Sequence, residues 1–213
     1  MYHPNQQKLR LKGDKKMKNK NHPKKGDNIT VDPIREIKDI ESIKKLLSDK
    51  KRDLLLFTLG INNGLRCGDL LKIRVGDVRS LKVNETLTIR EEKTGKNNVL
   101  MINKTVYKIL KDYISETSPS DDDYLFKSRK GTNQPLTVGF VNLMVKGWCR
   151  SINLKGNYGT HSLRKTFGYI QRIKYGVSWE VLCKRFNHSS PNVTMRYLGI
   201  EDKEVNGILT NEI

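Results

Sequence analysis

Residues Arg52–Leu71 read "RDLLLFTLGINNGLRCGDLL", and the rest of the chain is organised around them. Between Leu54 and Ile61 only Thr58 and Gly60 interrupt the apolar run. A helix of that composition is apolar on nearly all sides, so it belongs in the centre of a domain rather than on its surface. Gly64 is expected to stop it, because glycine takes the left-handed conformation of a helix end without a Cβ penalty. A second helix is predicted to start near Gly68, with Asp69-Leu70-Leu71-Lys72-Ile73. Arg66 falls in the junction. Two rigid elements would hold its guanidinium, and a helix N-terminus beside it favours an anion. Asp69, three residues on, is placed to orient that guanidinium. A lone arginine at a helix junction is more ordinarily a carbonyl cap or a solvated side chain.

Working outward, Asp39–Lys51 has helical spacing. Thr86–Glu92 and Asn97–Asn103 read as two strands, with Lys93-Thr94-Gly95-Lys96 as the turn of a hairpin. "KTVYKILKDYISE", "TVGFVNLMVKGWCRSI" and "HSLRKTFGYIQRIKYG" read as helices, the last ended by Gly176. "SPSDDDYLF" is an acidic loop leading to a short extended piece. Ser178 is a predicted N-cap with Glu180 in the first turn, and Ser190 is another, with Pro191 at the first helical position. No internal repeat is present. The fold class is α+β, mostly α: a helical body with one small antiparallel sheet on an edge. Three segments are expected: a basic N-terminal tail (1–32), a folded domain (33–200) and a weakly amphipathic C-terminal tail (201–213) carrying Val205, Ile208 and Leu209.

Charge narrows the partners. Lys and Arg number 41 against 23 Asp and Glu, a net +18 over 213 residues. Such a field attracts polyanions and exceeds what solubility needs. With no amphipathic anchor beside it, nucleic acid is favoured over anionic lipid. Residues 1–28 alone hold nine Lys/Arg, Lys15 and Lys16 among them, against Asp14 and Asp27. That composition predicts disorder in isolation and an arm able to grip phosphates, with an idle linker as the plainer reading. No apolar run approaches membrane-spanning length and no secretory signal leads the chain, so no membrane association is expected. Cys67, Cys149 and Cys183 are odd in number and widely spaced, which fits a reducing cytoplasm and neither a zinc site nor a disulfide framework.

The unusual polar groups then fall into a pattern. His161 and Arg164 are one turn apart on a helix face, about 120° from the apolar stripe of Leu163, Phe167 and Ile170, so the pair borders the core where a cleft would lie. Lys93 sits at the hairpin tip, where a cation can enter a nucleic-acid groove, with Lys96 as its rival. Both histidines outside the tail, His161 and His188, lie near the C-terminal Tyr197. Two arginines, a lysine, two histidines and a tyrosine suit phosphodiester transfer. Guanidiniums grip the non-bridging oxygens of the transition state. A phenol with a pKa near ~10 needs a base or a cationic field to attack, and a lysine can protonate the leaving 5′-oxygen. No carboxylate cluster has metal-ligand spacing, which disfavours a two-metal nuclease. No metal and no cofactor are expected.

The ordered series "GLRCGDLL", "EKTGK", "HSLRKTFG", "NHSS" and "RYLG" resembles the catalytic domain of the tyrosine recombinases, the phage-integrase family, from about Pro33 to Ile200. The resemblance implies that fold and a site-specific DNA recombinase. Arg66 and Arg164 would bind the scissile phosphate and Lys93 would be the general acid. His161 would exchange protons near the tyrosine, and His188 would bond a non-bridging oxygen. Tyr197 would attack to give a 3′-phosphotyrosyl intermediate, with Asp69 supporting Arg66. Further DNA contacts are assigned to Lys96, Lys165, Lys15 and Lys16. The implied partners are double-stranded DNA, further copies of the chain in a synaptic tetramer that the C-terminal tail helps to dock, and accessory DNA-bending proteins. The implied setting is the cytoplasm of a prokaryote, at the nucleoid. Two departures stand out. Asn187 replaces a glycine the family often has there, and only a basic tail precedes the catalytic domain where the family usually carries a core-binding domain. Relaxation of DNA in the manner of a type IB topoisomerase, and DNA binding without catalysis, are the alternatives.

Overall fold

The computed structural model describes residues 30–199, 209, 210 and 212. Lys15, Lys16 and the rest of the basic arm lie outside the described residues, as do Val205 and Ile208 of the C-terminal tail. The central helix is α2 (Lys51–Asn63), with Leu55, Leu56, Phe57 and Leu59 buried. Gly64 ends it at φ 60°, and its amide donates to the Gly60 carbonyl. Around α2 pack α1 (Ile37–Leu46), α5 (Lys104–Thr117), α6 (Val138–Ser151) and α7 (Thr160–Tyr175). The α2–α7 contact is close because Gly60 carries no side chain: a Cβ there would lie 2.8 Å from Leu163. Trp148 of α6 meets Phe57 edge to face at 6.0 Å. Asp32 is tied to Asn157 by its amide at 2.7 Å, and the Ile34 amide donates to Thr166 at 2.8 Å. The packed body therefore takes in Asp32, which the sequence assigns to the tail. No helix among the described residues is long and apolar enough to cross a membrane.

The helix predicted near Gly68 is only one turn, α3 (Cys67–Leu70), followed by α4 (Val75–Arg79). Long-range pairing ends it. The Leu125 amide donates to Ile73, the Val75 amide to Asp123, and Arg74 and Tyr124 form an antiparallel bridge. The acidic loop thus supplies one backbone carbonyl, of Asp123, and one amide, of Leu125, that hold Ile73–Val75 extended. The hairpin is present, with β1 (Thr86–Arg90) antiparallel to β2 (Asn97–Met101) and Thr86 opposite Met101. Its connection, Glu91–Lys96, is longer than the Lys93–Lys96 turn the sequence predicts. Glu91 leaves the ladder and is 1% exposed, facing inward.

A smaller cluster forms the C-terminal side. Helices α8 (Trp179–Phe186) and α9 (Pro191–Leu198) bury Leu182, Phe186 and Leu198 against Phe167 of α7. Ser178 and Ser190 cap them by accepting from Val181 and Val193, as the sequence predicts. Asn187 ends α8 at φ 54°. Asparagine is the side chain that best tolerates this left-handed position after glycine, which explains how the departure from the family pattern is accommodated.

Gly168 lets α8 and α9 reach α7: a Cβ there would lie 2.7 Å from Phe186 and 2.9 Å from Leu198. Gly168→Ala is expected to cost about 1–3 kcal/mol through overpacking. Gly147→Ala, in open space on the same body, should gain about 0.5–1 kcal/mol from helix propensity. Urea unfolding of the two variants checks the contrast, and equal stabilities would contradict the packing described.

Candidate active site

The site begins at Arg164 on α7. Its side chain is buried, 2% exposed. One guanidinium nitrogen donates to the Gly64 carbonyl and another to the Phe186 carbonyl at 2.7 Å, and the plane lies 4.5 Å over the Phe186 ring. Gly64 and Phe186 close α2 and α8, so the cation sits where two helix ends concentrate negative potential. Burial pulls its pKa down to about 10, aided by Arg66 and Arg185 and opposed by Tyr197 and Glu91. The group therefore stays charged at neutral pH. One turn before it, His161 is exposed. The pair lies at a cleft as predicted, but Arg164 is inside the wall rather than at its border.

Arg66 precedes α3 and forms an ion pair with Glu91 at 2.5 Å. Asp69, the predicted support, is buried at 3% exposure and accepts instead from the Glu92 amide at 3.0 Å. The carboxylate against Arg66 is thus Glu91, which the sequence reading misses. A signal was present: Leu87, Ile89 and Glu91 continue one face of a period-two strand, so an acid falls on an inward position. Burial works to raise the Glu91 carboxyl, but hydrogen bonds from Thr94, Asn98 and Arg66 outweigh it and hold the pKa at about 2.

Arg66, Lys93, His161 and Arg164 line one cleft of about 270 Å³, together with Cys67, Asp69, Glu92 and Val138. Lys93 projects from the exposed hairpin turn, and its rival Lys96 does not line the cleft. Lys165 differs from expectation. It is 6% exposed, with its ammonium 5.0 Å from the centre of the Tyr197 ring, so it faces the tyrosine rather than an outer DNA surface. Burial lowers its pKa. The Cys67 thiol is pushed up to about 12 by burial and Asp69, which makes it a neutral lining group.

Tyr197 lies on α9 with its hydroxyl 3.4 Å from His161 Nδ1. In the tautomer with a bare Nδ1, the imidazole accepts the phenolic hydrogen. Burial pushes the Tyr197 pKa up to about 12, against the opposing pull of Arg164 and Arg66. His188 packs 5.3 Å from the Tyr197 ring, its Nδ1 2.9 Å from Thr194 Oγ1. Burial and the two arginines pull His188 down to about 4. The same causes, with Lys165 and Lys93, lower His161. Both imidazoles are therefore neutral at neutral pH. The six residues that the sequence reading singles out for chemistry thus lie in and around one cleft. Among the described residues, no group of three or more His, Cys, Asp or Glu is placed to hold a metal ion.

Comparison with known proteins agrees with this arrangement. The model of the phage integrase family matches residues 29–204. The probable integrase/recombinase YoeC of Bacillus subtilis (strain 168) is 36% identical over 175 residues, covering 81% of this chain and 91% of the relative. The tyrosine recombinase XerC of Caldanaerobacter subterraneus subsp. tengcongensis is 30% identical over 176 residues, covering 78% of this chain and 48% of that protein. The XerH site-specific recombinase, solved bound to a palindromic difH substrate as a post-cleavage complex, superposes with a TM-score of 0.65 at 20% identity, over 80% of this chain and 50% of that one. The chain thus spans most of YoeC and about half the length of the other two. On the matched span and the identity to YoeC, the chain belongs to the phage integrase family, the tyrosine recombinases, and carries that family's catalytic domain.

Proposed function

We propose that the chain is a site-specific DNA recombinase that cuts and rejoins strands through Tyr197. The observation that carries this reading is the Tyr197 hydroxyl, 3.4 Å from His161 Nδ1 beside the cleft of Arg66 and Arg164. With a pKa of about 12, only about 10⁻⁵ of the phenol is ionised at neutral pH, so its proton must leave as attack proceeds. His161 receives it. Tyr197 Oη bonds to phosphorus, the bond to the 5′-oxygen breaks, and Lys93 gives that oxygen a proton. Arg66, Arg164 and His188 hold the non-bridging oxygens as charge builds there. The phosphotyrosyl ester keeps the bond energy, so a 5′-hydroxyl can attack it and reseal a strand without ATP.

The net charge of +18 supports double-stranded DNA as the partner. Residues 33–200 would carry the chemistry, the basic arm would grip further phosphates, and the C-terminal tail would dock on a neighbouring copy in a tetramer on DNA. Lys96, on the exposed hairpin turn, would make an outer phosphate contact. The working compartment is the cytoplasm, at the nucleoid.

Strand exchange between two DNA duplexes tests the reading. The wild type should exchange strands in the presence of a metal chelator. Tyr197→Phe should bind DNA with unchanged affinity and exchange none. Relaxation of supercoils by a monomer without exchange would favour topoisomerase-like chemistry, and binding without any strand cleavage would leave a DNA-binding module.

The pH dependence follows from the depressed imidazoles. His161 must be neutral to accept a proton, and its pKa lies below the ordinary 6.5. Activity at limiting DNA, which reports the free protein, should fall on the acid side with its midpoint below pH 6.5. A midpoint above pH 6.5 would contradict the proton-accepting role.

A further inference from the structure

The carboxylate of Glu91 meets three separate groups, as the ion-pair partner of Arg66 and as the acceptor of Thr94 and Asn98. Arg66 lies at 2.5 Å, Thr94 Oγ1 at 2.6 Å and Asn98 Nδ2 at 2.8 Å. The backbone of the same residue closes the turn, its amide donating to Lys96 at 2.9 Å and its carbonyl accepting from Gly95 at 2.8 Å. Thr94 is the residue next to Lys93. One buried side chain therefore holds both the first arginine of the cleft and the turn that carries the lysine. Through Asn98 the contacts continue to Arg185 at 2.8 Å, which also donates to the Asn63 carbonyl at the end of α2.

We infer that Glu91 is a positioning residue that sets the Lys93 turn against Arg66, so that the proton donor and the phosphate grip are aligned by one buried carboxylate. The inference rests on the strand-transfer reading above. A lysine on an exposed two-strand turn has many rotamers and a movable base, and a misplacement of about 1 Å can cost about 10²-fold in rate. Anchoring the turn from beneath removes the larger of these freedoms. The site also demands a carboxylate rather than an amide. Three donors converge on Glu91, and an ionised carboxylate offers about four lone-pair positions. A glutamine offers one acceptor oxygen and turns an NH₂ toward a donor, so at least one of the three contacts must break.

The test compares wild type, Glu91→Gln and Thr94→Val on a nicked suicide duplex carrying the chain's own site, found by sequencing genomic DNA trapped on the wild type. Each is assayed with an ordinary phosphodiester and with sulfur in place of the bridging 5′-oxygen. A thiolate, with a conjugate acid near ~8.5, leaves without a donated proton. Glu91→Gln should slow adduct formation on the oxygen substrate about 10–100-fold, within the usual worth of a general acid. On the sulfur substrate most of that loss should be regained, because the donor is no longer needed, and the remainder is the share carried by the Arg66 contact. Thr94→Val, an exposed position that leaves the fold in place, should show a smaller loss with the same recovery. Wild-type rates on the oxygen substrate, or equal slowing on both substrates, would overturn the inference. Amide hydrogen exchange supplies a readout that needs no activity: exchange across residues 91–98 should rise in Glu91→Gln while α2 is unchanged, and unaltered exchange would also overturn it. If the wild type forms no adduct, the strand-transfer reading fails by itself and exchange alone decides the role of Glu91.

Discussion

The buried Arg164 guanidinium, bonded to the Gly64 and Phe186 carbonyls, is the contact on which the rest of the site depends. Hydrogen bonds to a charged group are worth about 1.5–3 kcal/mol each, and an unpaired buried cation is far more costly. Two helix ends therefore have to be presented to it together. That requirement explains the small residues around it. Gly60 lets α7 approach α2, Gly64 turns the chain at the end of α2, and Gly168 lets Phe186 come down onto α7. Because Phe186 leads directly into Asn187 and His188, the same contact fixes where α9 and Tyr197 can lie.

Arg66, Lys93 and Arg164 line the cleft beside Asp69 and Glu92, and Glu91 is the carboxylate that touches Arg66. Burial, and after it Arg164 and Arg66, depress both histidines, while burial keeps Tyr197 protonated in spite of the two arginines. In the proposed reaction the phosphate would lie between the two arginines. Lys165 adds a cation over the ring of Tyr197 without reaching its hydroxyl.

Much of this was legible in the sequence because it is local. The run from Leu54 to Ile61, the glycine after it, the hairpin and the two serine caps each declare themselves within a few residues. The spacing of His161 and Arg164 places them on one helix face without reference to the rest of the chain. What was not legible depends on contacts between distant residues. Arg164 and Gly64 are 100 positions apart. The one-turn length of α3 is set by pairing with Leu125. Glu91 reads as an acid near the end of a strand until Arg66 is brought to it, and Lys165 reads as a DNA-contacting cation until α9 closes over it. Local patterns singled out the candidate groups, and the partners that hold them became visible only in three dimensions.

The most direct measurement is the chemical identity of the protein–DNA bond. After trapping on nicked DNA, nuclease and protease digestion followed by mass spectrometry should find the residual nucleotide on the peptide that contains Tyr197, joined through its 3′-phosphate. A nucleotide on any of the other tyrosines, or attachment through a 5′-phosphate, would contradict the account.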